Sequence, residues 1–240
     1  GECDDSSGQV MCDCDAGYHA DGLTCVSGTA CTPTLTETGW HQLTLKPGYS
    51  IGSRDRIVVR GDLAYLFVKR SLVVLDITVP DSPQELSVTE DILDGNQGGV
   101  AVANGYAYVF DTGSLGTTRG LNVWDLSDPA APAFVRTVAP SSTINQTYHA
   151  EIQGGFLYAS VSTLGLDIWD LSTPDNPTRR GTMQACPSFH QQVVPLGTQV
   201  LVTCYHNGGH PDAHYGWNTV DVTDPDNPVP VATFDSALSG

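Results

Sequence analysis

The sequence predicts an all-β chain made of β-propeller blades, with four visible repeats of a four-stranded antiparallel sheet behind a small cysteine-rich piece. Three observations lead there. One strand motif returns four times at a spacing typical of propeller or solenoid arrays. Gly (25) and Pro (15) are abundant while only 15% of the 240 residues are charged, which suits many short strands cut by turns. Five of the seven cysteines fall within the first 31 residues.

That N-terminal segment carries Cys3, Cys12, Cys14, Cys25 and Cys31 among Asp, Gly and Ser, with no apolar periodicity. Such a piece cannot fold on burial alone and needs cross-links; a zinc site is the other use of clustered cysteines. The run Cys12-Asp13-Cys14-Asp15-Ala16-Gly17-Tyr18, continuing through Gly22 to Cys25, resembles the C-terminal half of an EGF-like module. The resemblance implies a Cys14–Cys25 disulfide and upstream partners for Cys3 and Cys12, so residues 1–31 are expected to be a partial EGF-like module. Residues 32–39 follow as a linker, and 40–240 as the propeller.

The repeated motif reads Leu72-Val73-Val74-Leu75-Asp76-Ile77-Thr78, then Leu121-Asn122-Val123-Trp124-Asp125-Leu126-Ser127, Leu166-Asp167-Ile168-Trp169-Asp170-Leu171-Ser172 and Asn218-Thr219-Val220-Asp221-Val222-Thr223. The Asp-to-Asp spacings are 49, 45 and 51, and each motif runs into a turn with two prolines, such as Pro129 and Pro132. A hairpin precedes each motif, as in 100–110, where Asn104-Gly105 is a favoured tight-turn pair. Each repeat therefore supplies four strands, a propeller blade. The wording L-x-V-x-D-[ILV]-[ST]-x-P-x-x-P resembles the LVIVD-repeat family of bacterial and archaeal surface propellers, over roughly residues 40–236. The resemblance implies the fold; it implies no activity, because propellers host unrelated functions.

The repeated Asp76, Asp125, Asp170 and Asp221 are read as turn caps, whose carboxylates accept backbone N–H bonds, in preference to a ring of catalytic carboxylates. Trp124 and Trp169 are read as inter-blade packing. Residues 40–45 occupy the place of an outer strand with no inner strands of their own, so the natural chain is expected to continue past Gly240 and close its ring on them. A complete four-bladed ring with a spare strand is the alternative.

Two histidine sets are candidate sites. His149 and His190 stand near the start of inner strands, with Asp55 near the same slot, where they would face the central channel and bind a metal or an anion. Structural, hydrogen-bonded histidines are the alternative. The Gly-rich insertion 204–215 places His206, His210 and His214 with Asp212 within nine residues, a set suited to a divalent transition metal: Zn, Cu or Ni. A solvated polar loop is the alternative there. Cys186 and Cys204 flank a hairpin that turns near Pro195 to Gly197, so a disulfide between them would anchor this loop. Asn145-Gln146-Thr147 is a glycosylation sequon.

The formal charge of −17, against only 10 Lys and Arg, excludes nucleic acid as a natural partner. No stretch is long and apolar enough for a transmembrane helix, and the sequence opens at Gly1 without a leader. No nucleophile elbow, P-loop, dinucleotide fingerprint or zinc-protease motif is found. The leading expectation is a non-enzymatic binding or adhesion module, extracellular, on the cell surface or periplasmic, with a protein, glycan or matrix partner. The alternative is a metal-binding propeller or a metal-dependent enzyme centred on the His206/His210/His214 loop.

Overall fold

Period-2 apolar patterning and Gly-containing turns dictate strands, and strands are what the chain forms. The computed structural model describes residues 2–4, 11–13, 18–21, 24–27, 56–68, 70–93, 97–111, 120–138, 147–161, 165–184, 189–205 and 215–236. Two compact units are present, Gly1–Thr38 and Gly39–Gly240. Among the described residues, no helix is long and apolar enough to cross a membrane.

The first unit contains two antiparallel hairpins. Strand β1 (Glu2–Asp4) pairs with β2 (Met11–Asp13), which sets Cys3 opposite Cys12, and β3 (Tyr18–Asp21) pairs with β4 (Thr24–Ser27).

The second unit is propeller-like. Its four sheets are antiparallel and each follows chain order, so every strand pairs with its successor. Blade 1 comprises β5 (Arg56–Arg60), β6 (Leu63–Val68), β7 (Ser71–Asp76) and β8 (Gln84–Thr89). Blade 2 comprises β9 (Gln97–Ala103), β10 (Tyr106–Asp111), β11 (Gly120–Asp125) and β12 (Ala133–Val138). Blade 3 comprises β13 (Thr147–Gln153), β14 (Phe156–Val161), β15 (Gly165–Asp170) and β16 (Thr178–Met183). Blade 4 comprises β17 (Phe189–Leu196), β18 (Gln199–Tyr205), β19 (Tyr215–Asp221) and β20 (Val229–Ser236). The first strands β5, β9, β13 and β17 run beside one another and form the inner layer.

The first hairpin of each blade closes on a two-residue turn that needs left-handed backbone. Asn104 and Gly105 have φ of 53° and 76°, and Gly154 and Gly155 have 61° and 82°, the signs a type I′ turn requires at both positions. The sequence offers Asn-Gly and Gly-Gly there because other residues pay a steric penalty in that region.

Alternate residues of each sheet face opposite neighbours, and the core is a set of inter-blade layers. Phe67, Leu72 and Val74 of blade 1 pack with Val102, Val109 and Trp124 of blade 2. Tyr108, Phe110 and Leu121 of blade 2 pack with Leu157, Ala159 and Trp169 of blade 3. Tyr158, Leu166 and Ile168 of blade 3 pack with Val200, Val202 and Val220 of blade 4. Each fully buried side chain of this kind is worth about 1.5–3 kcal/mol relative to exposure, and the array is stabilised repeat against repeat.

The double-proline turn is the clasp between blades. Ser87 of β8 donates to the Pro129 carbonyl at 2.8 Å, and Tyr108 donates to the Pro174 carbonyl at 3.0 Å. Arg136 of β12 meets Asn176 at 3.2 Å and Asp175 at 3.6 Å, while Arg180 of β16 makes a bidentate contact with Asp226 at 2.6 and 2.7 Å. Each contact joins one blade to the turn of the next, so the recurring double-proline turn serves assembly of the array.

Among the described residues, nothing covers one sheet face of blade 4. Trp217 and Phe234 are cross-strand partners, their rings stacked at 5.5 Å, and they are 45% and 49% exposed. Leu121 and Leu166, which hold the place of Trp217 in blades 2 and 3, are 0% exposed because the following blade covers them. An uncovered blade face of this kind is adhesive. The 240-residue chain is expected to self-associate with rising concentration in sedimentation velocity, and Trp217→Ser with Phe234→Ser to suppress it. A monomer at every concentration would show that this face does not drive association.

Candidate functional site

The inner strands carry Arg56, Arg60 and Glu151, charged groups that neither the core nor the clasps use. Ladder register sets the slots. Arg56 pairs with Phe67 and His149 with Ser160, each four residues beyond the closing pair of its hairpin. Gly99 and Gln192 hold the matching positions in blades 2 and 4; the Gln192 amide donates to Thr203 Oγ1 at 2.9 Å, as the His149 amide donates to Ser160 Oγ at 3.1 Å. His190 lies opposite Cys204, one pair further from its turn than His149 is from its own. A bulge interrupts each of the two strands, between Thr147 and His149 and between His190 and Val193, and only the second lies between its histidine and the turn.

Glycine in the blade 2 slot lets the inner strands of blades 2 and 3 approach closely. A Cβ at Gly99 would stand 2.7 Å from the His149 carbonyl carbon and 2.9 Å from the Ala150 nitrogen, so β13 sits closer to β9 than any side chain there permits. Arg56 reaches past that slot and donates from Nη2 to the Tyr148 carbonyl at 3.1 Å. Four residues on, Arg60 donates from Nε to the Val102 carbonyl at 2.9 Å and from Nη1 to the Val59 carbonyl at 2.8 Å.

Between these strands lies a cleft of about 180 Å³ bounded by Val58, Arg60, Val100, Ala101, Ala150 and Glu151. One cation and one anion therefore line the same space from blades 1 and 3. They do not bridge it: Glu151 Oε1 lies 3.5 Å from His149 Nε2, and Arg60 binds main-chain carbonyls. His149 Nδ1 accepts from the Val193 amide at 3.4 Å, which places the proton of the neutral ring on Nε2, on the side of Glu151. Burial holds the His149 pKa below its ordinary value, with Glu151 pulling it up and Arg56 pushing it down. At neutral pH the ring therefore stands uncharged beside Glu151, 3.5 Å away.

The four motif aspartates sit at the ends of β7, β11, β15 and β19. Asp76, Asp125, Asp170 and Asp221 each accept the amide of the residue two places on through Oδ1, at 2.8, 2.7, 2.8 and 2.8 Å. Hydrogen bonds from Thr78, Ser127, Ser172 and Thr223 hold all four carboxyls below the usual range. They lie at separate blade edges and are not gathered into one site.

Asp55, the loop with His206, His210, Asp212 and His214, and the cysteines Cys14 and Cys186 lie outside the described residues, as do the side chains of His190, Cys25 and Cys204. Among the described residues, no group of three or more His, Cys, Asp or Glu could hold a metal ion.

Sequence reasoning passed over Arg56, Arg60 and Glu151. Two signals for them exist. Five of the ten Lys and Arg lie in the segment 54–70 of this strongly acidic chain, and Glu151 follows His149 at the i+2 spacing that puts both on one face of a strand. A second charged group, Asp167, is fully buried in blade 3, where it binds Arg179 Nε at 2.6 Å and Trp169 Nε1 at 3.1 Å. Burial raises its pKa and Arg179 opposes the rise. This pair closes a layer between blades and is structural.

Similar folds occur in solved structures. A functionally unknown protein from Desulfotomaculum acetoxidans is similar at a TM-score of 0.59 and 12% identity, over 83% of this chain and 60% of that one. The computationally designed Ika8 protein is similar at 0.53 and 10% identity, over 74% of this chain and 48% of that one. YjhT is similar at 0.51 and 12% identity, over 81% of this chain and 68% of its own. The chain thus spans about half the length of the designed protein and three fifths of the Desulfotomaculum protein. At these identities the likeness is one of fold. No curated protein matches the sequence. The LVIVD repeat pattern matches residues 51–89, 94–139 and 148–184, which together are just over half of the chain and coincide with blades 1, 2 and 3. On that match, the chain belongs to the LVIVD repeat family.

Proposed function

We propose that this chain is a non-enzymatic binding module that works outside the cytoplasm, at the cell surface, in the periplasm or secreted, and holds its ligand against the inner strands of blades 1 to 3. The observation that carries the reading is the pair of opposite charges, Arg60 and Glu151, lining one cleft of about 180 Å³ without bridging it. Arg60 is exposed and Glu151 half-exposed, so water satisfies them in the free chain and a ligand's charged groups can take its place; a few placed polar groups in a small concave site are what ligand recognition requires. The cysteine-dense N-terminal segment, read as a partial EGF-like module, supports an oxidising compartment. The partner classes this reading serves are protein, glycan and matrix components that present a charged group to the cleft.

Thermal denaturation in the presence of a panel of peptides, glycans and small charged metabolites tests the proposal. At least one compound is expected to raise the melting temperature of the chain and to lose that effect when Arg60→Gln and Glu151→Gln are combined. A ligand present at a hundred times its dissociation constant adds about 2.7 kcal/mol, a shift of roughly 5–10 °C for a chain of this size. Stabilisation that survives unchanged in the double variant would place binding elsewhere, and turnover of a panel compound would make the chain an enzyme.

A further inference from the structure

The cleft contains a donor of fixed orientation on one wall and an acceptor on the other. Arg60 is held by its Nε and Nη1 bonds to the Val102 and Val59 carbonyls, at 2.9 and 2.8 Å. These bonds orient the guanidinium fork and occupy only two of its three nitrogens, which leaves Nη2 for a carboxylate. Among the described residues, Glu151 of blade 3 has only the His149 ring beside it, 3.5 Å away, and can accept an ammonium. The wall between them, formed by Val100 and Ala101 of β9 and Ala150 of β13, exposes more polar than apolar surface, because these small side chains are buried in the layers between blades. About 180 Å³ equals the liquid volume of roughly six waters and falls short of the ~300–1,000 Å³ of sites for drug-sized ligands.

We propose that the cleft takes a small zwitterion of the α-amino-acid class, its carboxylate against Arg60 and its ammonium against Glu151. The inference rests on the reading of this cleft as the binding site and names the chemistry that site selects. The charge of the whole chain points the same way. A net −17 repels a simple anion from Arg60, whereas a zwitterion carries no net charge and meets no such long-range barrier. A simple cation satisfies Glu151 and leaves Arg60 with backbone carbonyls only.

Isothermal titration of the intact 240-residue chain provides the test, with glycine, L-alanine, β-alanine and γ-aminobutyrate as zwitterions and acetate and propylammonium as their halves. At least one zwitterion is expected to bind, with each half at least tenfold weaker. Arg60→Gln and Glu151→Gln are each expected to weaken the zwitterion at least tenfold, while Arg60→Lys, which keeps the charge, retains part of the affinity. Circular dichroism and the ligand-free melting temperature show whether each variant is folded. Equal binding of a half and its zwitterion, or zwitterion binding indifferent to both variants, overturns the inference. If no zwitterion binds but another charged compound does, and both variants lose it, this inference falls and the cleft stands as the binding site. If nothing binds in a manner that depends on either residue, both fall.

Discussion

Arg179→Met is expected to cost about 3–5 kcal/mol, because it leaves the fully buried Asp167 carboxylate without its cation. For a chain of this size that is a fall in melting temperature of about 10 °C. The Trp169 indole N–H, 3.1 Å from the other carboxylate oxygen, cannot replace the lost charge. The pH dependence has a definite sign. Burial raises the folded-state pKa of Asp167 above its unfolded value, and removal of Arg179 raises it further by deleting the opposing influence. A carboxyl with a raised folded pKa favours the folded state fully below its unfolded pKa and loses that contribution as pH climbs through the folded value. The deficit of the variant relative to the parent is therefore smallest in acid and grows toward neutrality. Adding Asp167→Asn to Arg179→Met should recover most of the loss, since Asn122 holds the same place in blade 2. Chemical denaturation of the three variants from pH 4 to pH 8 measures both effects, and an Arg179→Met deficit that is flat with pH would deny Asp167 its role.

Gly181→Ala is expected to pry blades 3 and 4 apart. A Cβ at this position would lie 2.4 Å from the Pro225 carbonyl oxygen and 2.9 Å from Pro228 Cδ, atoms of the double-proline turn that cannot swing aside. Overpacking against such a wall costs about 1–3 kcal/mol, with the upper end expected against backbone. The flanking Arg180–Asp226 contact at 2.6 Å must lengthen if the blades separate. Gly61→Ala is the matched control: no atom lies within 4 Å of its Cβ, and its φ of 57° asks only for the left-handed penalty of about 1 kcal/mol. Melting temperatures of the two variants should rank Gly181→Ala well below Gly61→Ala. Equal losses would mean that the proline turn is not a fitted socket.

The array was legible because each blade repeats its own instructions. Leu-x-Val-x-Asp wording, a Gly-containing tight turn and two prolines recur at blade length, and the four sheets, the Asn104-Gly105 turn and the order of the strands follow from them. The fourth sheet, β17–β20, forms although the family pattern covers only the first three repeats. The site was less legible, for two physical reasons. Arg60 and Glu151 belong to different blades and share a cleft beside β9, which Gly99 lets β13 approach closely, a three-dimensional consequence that strand periodicity does not register. His190 stands six residues before the closing pair of its hairpin and His149 four before its own, and the bulge in β17 absorbs only one of the two extra residues, so the two histidines occupy different rungs of their ladders. The buried Asp167 was equally hidden, since an acidic residue inside an otherwise apolar strand reads from sequence as an edge or a solvated face, and only its pairing with Arg179 explains its burial.

The most direct test of the central claim is an NMR titration of the 15N-labelled chain, following backbone amides and the Arg60 Nε–H signal, with whichever panel compound stabilises it. The account predicts that Arg60 Nε–H and the amides of 57–60, 99–101 and 150–151 shift most and saturate together. Shifts confined to other parts of the chain, with the Arg60 signal unmoved at saturation, would contradict it.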